Sequence, residues 1–404
     1  ASMTDAVGAL VLEDNRLQTL ALSIAETGGA GDLPAYVRLI ETFETSGRLD
    51  RAVEGIAGNE ELFRRASEGK GLTRPELAVL LSTAKLAAQD GVEDAPLALD
   101  ASMESELLAA FPEAMVKKHK AAILGHRLRK EIIATKLANR MINRLGLLHP
   151  FELAEEEGCS LADVAAAFAI AERIYDLPSL WAAIDTGEMP ESTRLMLFNQ
   201  TAVETRAQMA DIIRNAHEGR DVASATSLYA PVVQKLSASL DSLLPADIRH
   251  HTESFGTRLV DNGAPRKIAD RLVRMAQLDG AIGLAALSST QKGDVTALTQ
   301  AFTAIGDALG IGWAQGTAMQ MDPHDPWERL LVAGIARDFQ AMRLDFLRRR
   351  AAKKPVEDTQ GWLADNAPRV RAFKAMVDRA RMGGMPTPAM LAQIAGQARV
   401  LLGR

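Results

Sequence analysis

At roughly 150 residues per domain, 404 residues make two or three domains, enough chain to bury hydrophobic cores without disulfide or metal support. Hydrophobic residues at 47% and charged residues at 24% sit near the globular average, which excludes a disordered chain and a coiled-coil rod. The 46 Lys and Arg against 52 Asp and Glu leave −6, which argues against a surface built wholly for nucleic acid, and one cysteine, Cys159, excludes an internal disulfide and a Cys-cluster zinc site.

The chain opens with Ala1-Ser2-Met3-Thr4-Asp5 and passes straight into the amphipathic run Val7 to Ile24, without a basic leader. No stretch approaches the length of apolar sequence that spans a bilayer, so a cytoplasmic protein with no membrane contact is expected, and a chain that begins inside a larger one. Glycines predict a loop at Thr27 to Asp32 and a break at Glu68 to Leu72. Thr73-Arg74-Pro75-Glu76 then combines a hydroxyl N-cap, a first-turn proline and a carboxylate three residues on, the signature of a helix start. Loops follow at Gly91 to Pro96 and His149-Pro150, with an αL stop at Gly146, and Ser160 with Asp163 predicts a second capping box beside Cys159. Further loops are predicted at Asp185 to Pro190, Pro245, Asn262 to Pro265, Met321 to Pro326, Lys353 to Asp358 and Met382 to Pro388, with another stop at Gly219. Asp325-Pro326-Trp327-Glu328 repeats the capping device, and Trp327, Leu331, Ile335, Phe339, Met342 and Phe346 step by three or four along one core-facing stripe. Thr387-Pro388 starts a last helix over Met390 to Leu402.

Aromatic residues are only 4% and alternating β-branched runs are scarce, so the expected fold is all-α, a multi-helix array of roughly fifteen to eighteen helices with no substantial sheet. Two packed lobes are expected, divided near Leu243-Leu244-Pro245, and no regular repeat supports a solenoid.

Motifs for chemistry are weak. The seven histidines form no HExxH, and adjacent His250-His251 would point about 100° apart on a helix. His119 and His126, seven apart, read as a polar seam. Gly310-Ile311-Gly312-Trp313-Ala314-Gln315-Gly316 superficially resembles a dinucleotide loop, but Leu298 to Leu309 before it reads as helix where a strand is required. Gly158-Cys159-Ser160 is not a nucleophile elbow. The densest charge feature is Lys117 to Arg144, read as a basic helix: Lys117, Lys118, Lys120, Arg127, Arg129, Lys130, Lys136, Arg140 and Arg144 face only Glu131. Arg127, Arg129, Lys136, Arg140 and Arg144 are the candidate anion or interface contacts, with Leu124, Leu128, Ile132 and Leu137 as the apolar face. Their partners are carboxylates of neighbouring helices or of a partner subunit, solvent, or the phosphates of a nucleotide effector or nucleic acid; no aromatic side chains interleave to stack bases. Arg348-Arg349-Arg350 is expected at a helix C-terminus, complementing its dipole.

Several stretches carry a resemblance: Met3-Thr4-Asp5 with Val11-Leu12-Glu13-Asp14-Asn15-Arg16-Leu17-Gln18; Gly71 through Leu81; His126 through Thr135; Leu137-Ala138-Asn139; Ile142-Asn143-Arg144; and Trp327-Glu328-Arg329-Leu330. Over nearly its whole length the chain resembles the C-terminal helical part of the large bacterial NAD-dependent glutamate dehydrogenases, departing from the usual pattern at Arg16 and at Ser82-Thr83. The resemblance implies a parent that converts L-glutamate, NAD and water into 2-oxoglutarate, ammonia and NADH. It places the catalytic lysine motif and nucleotide-binding glycines outside this chain, so no catalytic, cofactor-binding or metal residue is assigned here. It further implies that residues 1–70 join or complete an upstream catalytic region of the same polypeptide and that a helical C-terminal domain follows. The break near Pro245 divides that domain into lobes 71–245 and 246–404, and its helical mass, well-formed caps and lack of a convergent titratable cluster lead to the expectation of a scaffold, regulatory element or homo-oligomer contact. The rival expectation is an anion-binding module built on Lys117 to Arg144.

Overall fold

In a computed structural model, which describes residues 2–215, 221–244, 246–321, 323, 326–350 and 354–403, every regular element is a helix. In order they are α1 (Ser2–Gly28), α2 (Leu33–Thr45), α3 (Arg51–Glu54), α4 (Asn59–Ser67), α5 (Arg74–Glu93), α6 (Glu104–Ala109), α7 (Glu113–Leu124) and α8 (Arg129–Leu145). They continue as α9 (His149–Glu157), α10 (Leu161–Ile174), α11 (Leu177–Thr186), α12 (Glu191–Asn215), α13 (Val222–Leu243), α14 (Ala246–Asp261) and α15 (Arg266–Gln277). The last seven are α16 (Ala281–Gln291), α17 (Val295–Leu309), α18 (Ile311–Gln320), α19 (Pro326–Arg350), α20 (Pro355–Asp365), α21 (Ala367–Met382) and α22 (Pro388–Leu402). Two 3-10 turns, Pro96–Leu99 and Ala101–Met103, link α5 to α6. The protein is therefore all-α, and it has more helices than length alone suggests because α3 and α6 are a turn or two long. Among the described residues no helix is long and apolar enough to cross a membrane.

The chain divides into two compact units, the first mainly Ala1–Ile213 and the second mainly Ser227–Asn262 and Ala269–Arg404. At the centre of the first, α5 packs along α8 with Leu77, Leu80, Leu81 and Ala84 on one helix and Ile133, Ala134, Leu137, Ala138 and Met141 on the other, all buried. Alanines on both faces let the two backbones approach closely. α10 packs on α5, α6 on α8, and α1 on both α5 and α8. In the second unit α17 and α19 form the core, flanked by α18, α20, α21 and α22, with Phe346 edge-on to Trp362 at 5.0 Å.

Helix starts follow local chemistry. The N–H and hydroxyl of Thr73 both donate to Glu76 Oε2, at 2.7 and 2.8 Å, as the capping signature predicts. Ser160 and Asp163 form the reciprocal box, and Thr387 accepts the N–H of Met390. Gly146, at φ +85°, ends α8, and Gly310, at φ +70°, joins α17 directly to α18. Only Gly310 of the glycine-rich run lies between helices, the rest of it is the start of α18, and a helix rather than a strand precedes it, so it offers no strand-to-loop-to-helix cradle for a dinucleotide.

Some expectations need correction. His149-Pro150 and Pro355 are not loops but begin α9 and α20, since a first-turn proline lacks only an N–H that is unpaired there anyway. The apolar stripe of α19 is core from Ile335 onward, whereas Trp327 and Leu331 are exposed at 78% and 44%. Arg348-Arg349-Arg350 does end α19, yet Arg349 reaches across to donate to the carbonyls of Leu402 and Gly403, so it also caps α22. The predicted N-cap Asp325 and the breaks at Gly219 and Pro245 lie outside the described residues.

Candidate functional site

The basic segment is not one helix. His119 leaves helical geometry inside α7, α7 ends at Leu124, and Gly125 turns the chain before α8 begins at Arg129. In that turn His126 accepts the N–H of Leu128 on Nδ1 at 3.1 Å and its ring lies against Phe111. The expected face shared by His119 and His126 therefore does not exist, and Arg127 lies in the turn, exposed, off the α8 stripe. The apolar face of α8 is also displaced from the expected one: Ile133, Ala134, Leu137, Ala138, Met141 and Ile142 are buried, while Leu128 is exposed.

Along α8 Arg129, Arg140 and Arg144 meet carboxylates of the same chain. Arg140 is the centre. Its Nε and Nη2 donate to the two oxygens of Glu172 on α10 at 2.7 and 2.9 Å, and Nη1 and Nη2 donate to Glu106 on α6. A guanidinium has a planar fork of donors, and here it serves two carboxylates from two helices at once. Burial works against the Arg140 charge, but Glu106 and Glu172 outweigh it and hold the group firmly protonated. Burial pushes the Glu172 carboxyl above its ordinary value, with Arg140 pulling it back.

One turn on, the Arg144 guanidinium lies over the rings of Trp181 on α11 and Phe198 on α12, 4.9 and 5.3 Å from their centroids. Its Nη2 is 3.6 Å from Asp185, whose two oxygens also accept from Arg16 of α1 at 2.8 and 3.1 Å, and Arg16 in turn holds Glu13. Burial lowers the Arg144 pKa, and Asp185 acts the other way. Arg16 thus ties α1 to α11. Arg129 faces Glu104 at 3.8 Å, and Lys136 is half-buried on α8. What this arrangement does chemically is neutralise charge between packed helices. It presents no open ring of cations, so the anion-binding alternative finds no support in it.

A second buried polar cluster sits in the other unit. Gln315 of α18 donates from Nε2 to Asp279 at 2.7 Å and accepts on Oε1 from Arg343 of α19, so one amide bridges acid and base. Arg343 stacks on Phe302 at 4.0 Å, and Gly306 leaves its guanidinium room, since a Cβ there would come within 3.1 Å of Nη1. Burial raises the Asp279 carboxyl and lowers Arg343 to about 10, so each group needs the other's charge nearby. Sequence reading missed this cluster. Its one signal is Arg343 standing between Phe339, Met342 and Phe346, a cation inside an apolar stripe.

Burial and neighbouring carboxylates push the Cys159 thiol up to about 11, the opposite of an activated nucleophile. Among the described residues no three His, Cys, Asp or Glu side chains are grouped to hold a metal ion.

The family described as "Glutamate dehydrogenase, C-terminal" matches residues 69–399. The NAD-specific glutamate dehydrogenase of Pseudomonas aeruginosa is 30% identical over 96% of this chain and 24% of its own length. Those of Mycobacterium tuberculosis and Halomonas elongata are each 26% identical, over 98% and 81% of this chain and 25% and 20% of theirs. The chain thus spans about a quarter or less of the length of these relatives. With that match over most of its residues, this chain belongs to the glutamate dehydrogenase C-terminal family.

Proposed function

We propose that this chain is the helical scaffold of a longer NAD-specific glutamate dehydrogenase: it supports and positions the region that oxidises L-glutamate to 2-oxoglutarate and ammonia with NAD, and contributes to contact between copies. The observation that carries the reading is the fate of the polar groups. Arg140 and Arg343, two cations set among packed helices, are committed to glutamate and glutamine side chains that join those helices, and the Cys159 thiol is held protonated. Glutamate oxidation needs a hydride acceptor on a dinucleotide fold and a lysine and acid to activate water and amine. Gly310 lies between two helices and gives NAD no such seat. In this reading residues 1–70 join the scaffold to the catalytic region, NAD is bound there, and the reaction proceeds in cytoplasm.

Deleting the residues from Gly71 onward in the full-length protein tests the reading. The expected result is loss of assembly and a large fall in turnover and thermal stability. Unchanged assembly, stability and kinetics would defeat it.

A further inference from the structure

Helix α1 is half inside the protein and half outside it. From Glu13 onward it is held: Arg16 with Glu13 grips Asp185, Asp14 lies near enough to Lys85 of α5 to favour its charge, and Leu20, Ala21 and Ala25 are buried where α1 packs on α5 and α8. Before Glu13 the helix projects, with Met3, Val7, Leu10 and Val11 exposed at 40%, 47%, 36% and 53%. At 100° per residue these four fall within one arc of about a quarter-turn. Ala21 and Ala25 fall on the same arc with Leu17 about 20° beside it, and Asp14 and Gln18 on that arc separate the exposed apolar stripe from the part that packs on α5 and α8. Four consecutive large apolar positions on one face of a projecting helix form the kind of patch that marks an interaction surface.

Resting on the scaffold reading above, we infer that the Met3–Val7–Leu10–Val11 stripe of α1 is the docking face for the dehydrogenase region of the same longer polypeptide. Two observations choose this occupant over a second copy. The family match, described as C-terminal, begins at residue 69, while the relatives from Pseudomonas aeruginosa and Mycobacterium tuberculosis match 96% and 98% of the chain, so α1 lies on the amino-terminal side of a segment that is itself named for the C-terminal end. About three quarters of each relative lies outside the match. A helix whose carboxy-terminal half is embedded in the scaffold and whose amino-terminal half is apolar and bare is built to be clasped by two bodies.

The test uses the full-length protein carrying the photoreactive residue benzoylphenylalanine in place of Val7, and separately in place of Leu12 on the opposite face. Irradiation at Val7 is expected to give an adduct at monomer mass that maps to the dehydrogenase region, with about tenfold less from Leu12. The double substitution Val7→Asp with Val11→Asp is expected to make thermal inactivation of the dehydrogenase activity about tenfold faster, and Leu12→Asp to leave it unchanged. An adduct of doubled mass joining two α1 helices, or no adduct at Val7, overturns the docking face. If deletion from Gly71 abolishes assembly while Val7 gives no adduct, the scaffold reading stands and only the docking face fails.

Discussion

Arg140 shows what a buried cation is for in this protein. Taking it away by Arg140→Met leaves Glu106 and Glu172 facing each other between α6, α8 and α10, and removing one partner from a buried ion pair costs about 3 kcal/mol. The expected result is a denaturant midpoint well below that of the parent at about pH 7.5, and the gap should narrow at about pH 5. The sign follows from Glu172: burial raises its folded-state pKa, so the folded protein binds that proton more tightly than the unfolded chain. Stability from this group therefore rises as pH falls through the raised value toward the ordinary one, and it rises more in Arg140→Met, where the arginine no longer pulls that value back, so the gap closes in acid. A gap that widens on acidification would contradict this. Cys159 gives a second check at the same scale. With its pKa at about 11, on the order of one thiol in a thousand is ionised at pH 8, so alkylation should be slow and rise about tenfold per pH unit. A fast reaction that is already level at neutral pH would contradict the structural role. The sequence shows the cap beside Cys159 plainly, because Ser160 and Asp163 are three apart and the box is local. It does not show which carboxylates meet Arg140, since Glu106 and Glu172 are 34 and 32 residues away and only packing brings them in. Nor does it show that Arg343 is buried, because an arginine in an apolar stripe reads equally well as a surface residue.

At the scale of single helices, start signals carry the fold further than periodicity does. Glu76 both caps α5 through Thr73 and accepts from Arg65 at 3.0 Å, so it fastens α4 to α5. Burial opposes its charge, but the Thr73 N–H and hydroxyl and Arg65 hold its pKa below the ordinary carboxylate value. A depressed carboxyl contributes stability above its unfolded-state pKa and loses it as pH falls through the folded-state one. Glu76→Ala should therefore cost about 1–2 kcal/mol, or roughly 3–5 °C in thermal midpoint near neutral pH, and much less in acid. Glu76→Gln, which can still accept from Thr73, should cost less than Glu76→Ala; equal losses would show that the cap is not what matters. In the second unit Gln315→Leu strands Asp279 and Arg343 without their shared amide, so a loss of about 2–4 kcal/mol by denaturant unfolding is expected. A change within about 0.5 kcal/mol would contradict the bridge. Prolines marked where helices meet but not on which side, which is why Pro150 and Pro355 open helices that sequence reading placed in loops. The basic run read as one helix because charge spacing does not register a turn at Gly125.

Across the whole molecule, helical composition, caps and short connections made the all-α class readable, and the resemblance in residues such as Gly71 through Leu81 and His126 through Thr135 led to the family that the match over residues 69–399 bears out. How these helices serve a larger enzyme is set by surfaces, and surfaces carry no periodic signal. The polar clusters around Arg140 and Arg343 join helices, while α1 carries Met3, Val7, Leu10 and Val11 exposed. If the reaction belongs to the rest of the polypeptide, the purified 404-residue chain given L-glutamate and NAD should form no NADH above a protein-free blank, at any pH at which it stays folded. Sustained, glutamate-dependent NADH formation by this chain alone would contradict the account.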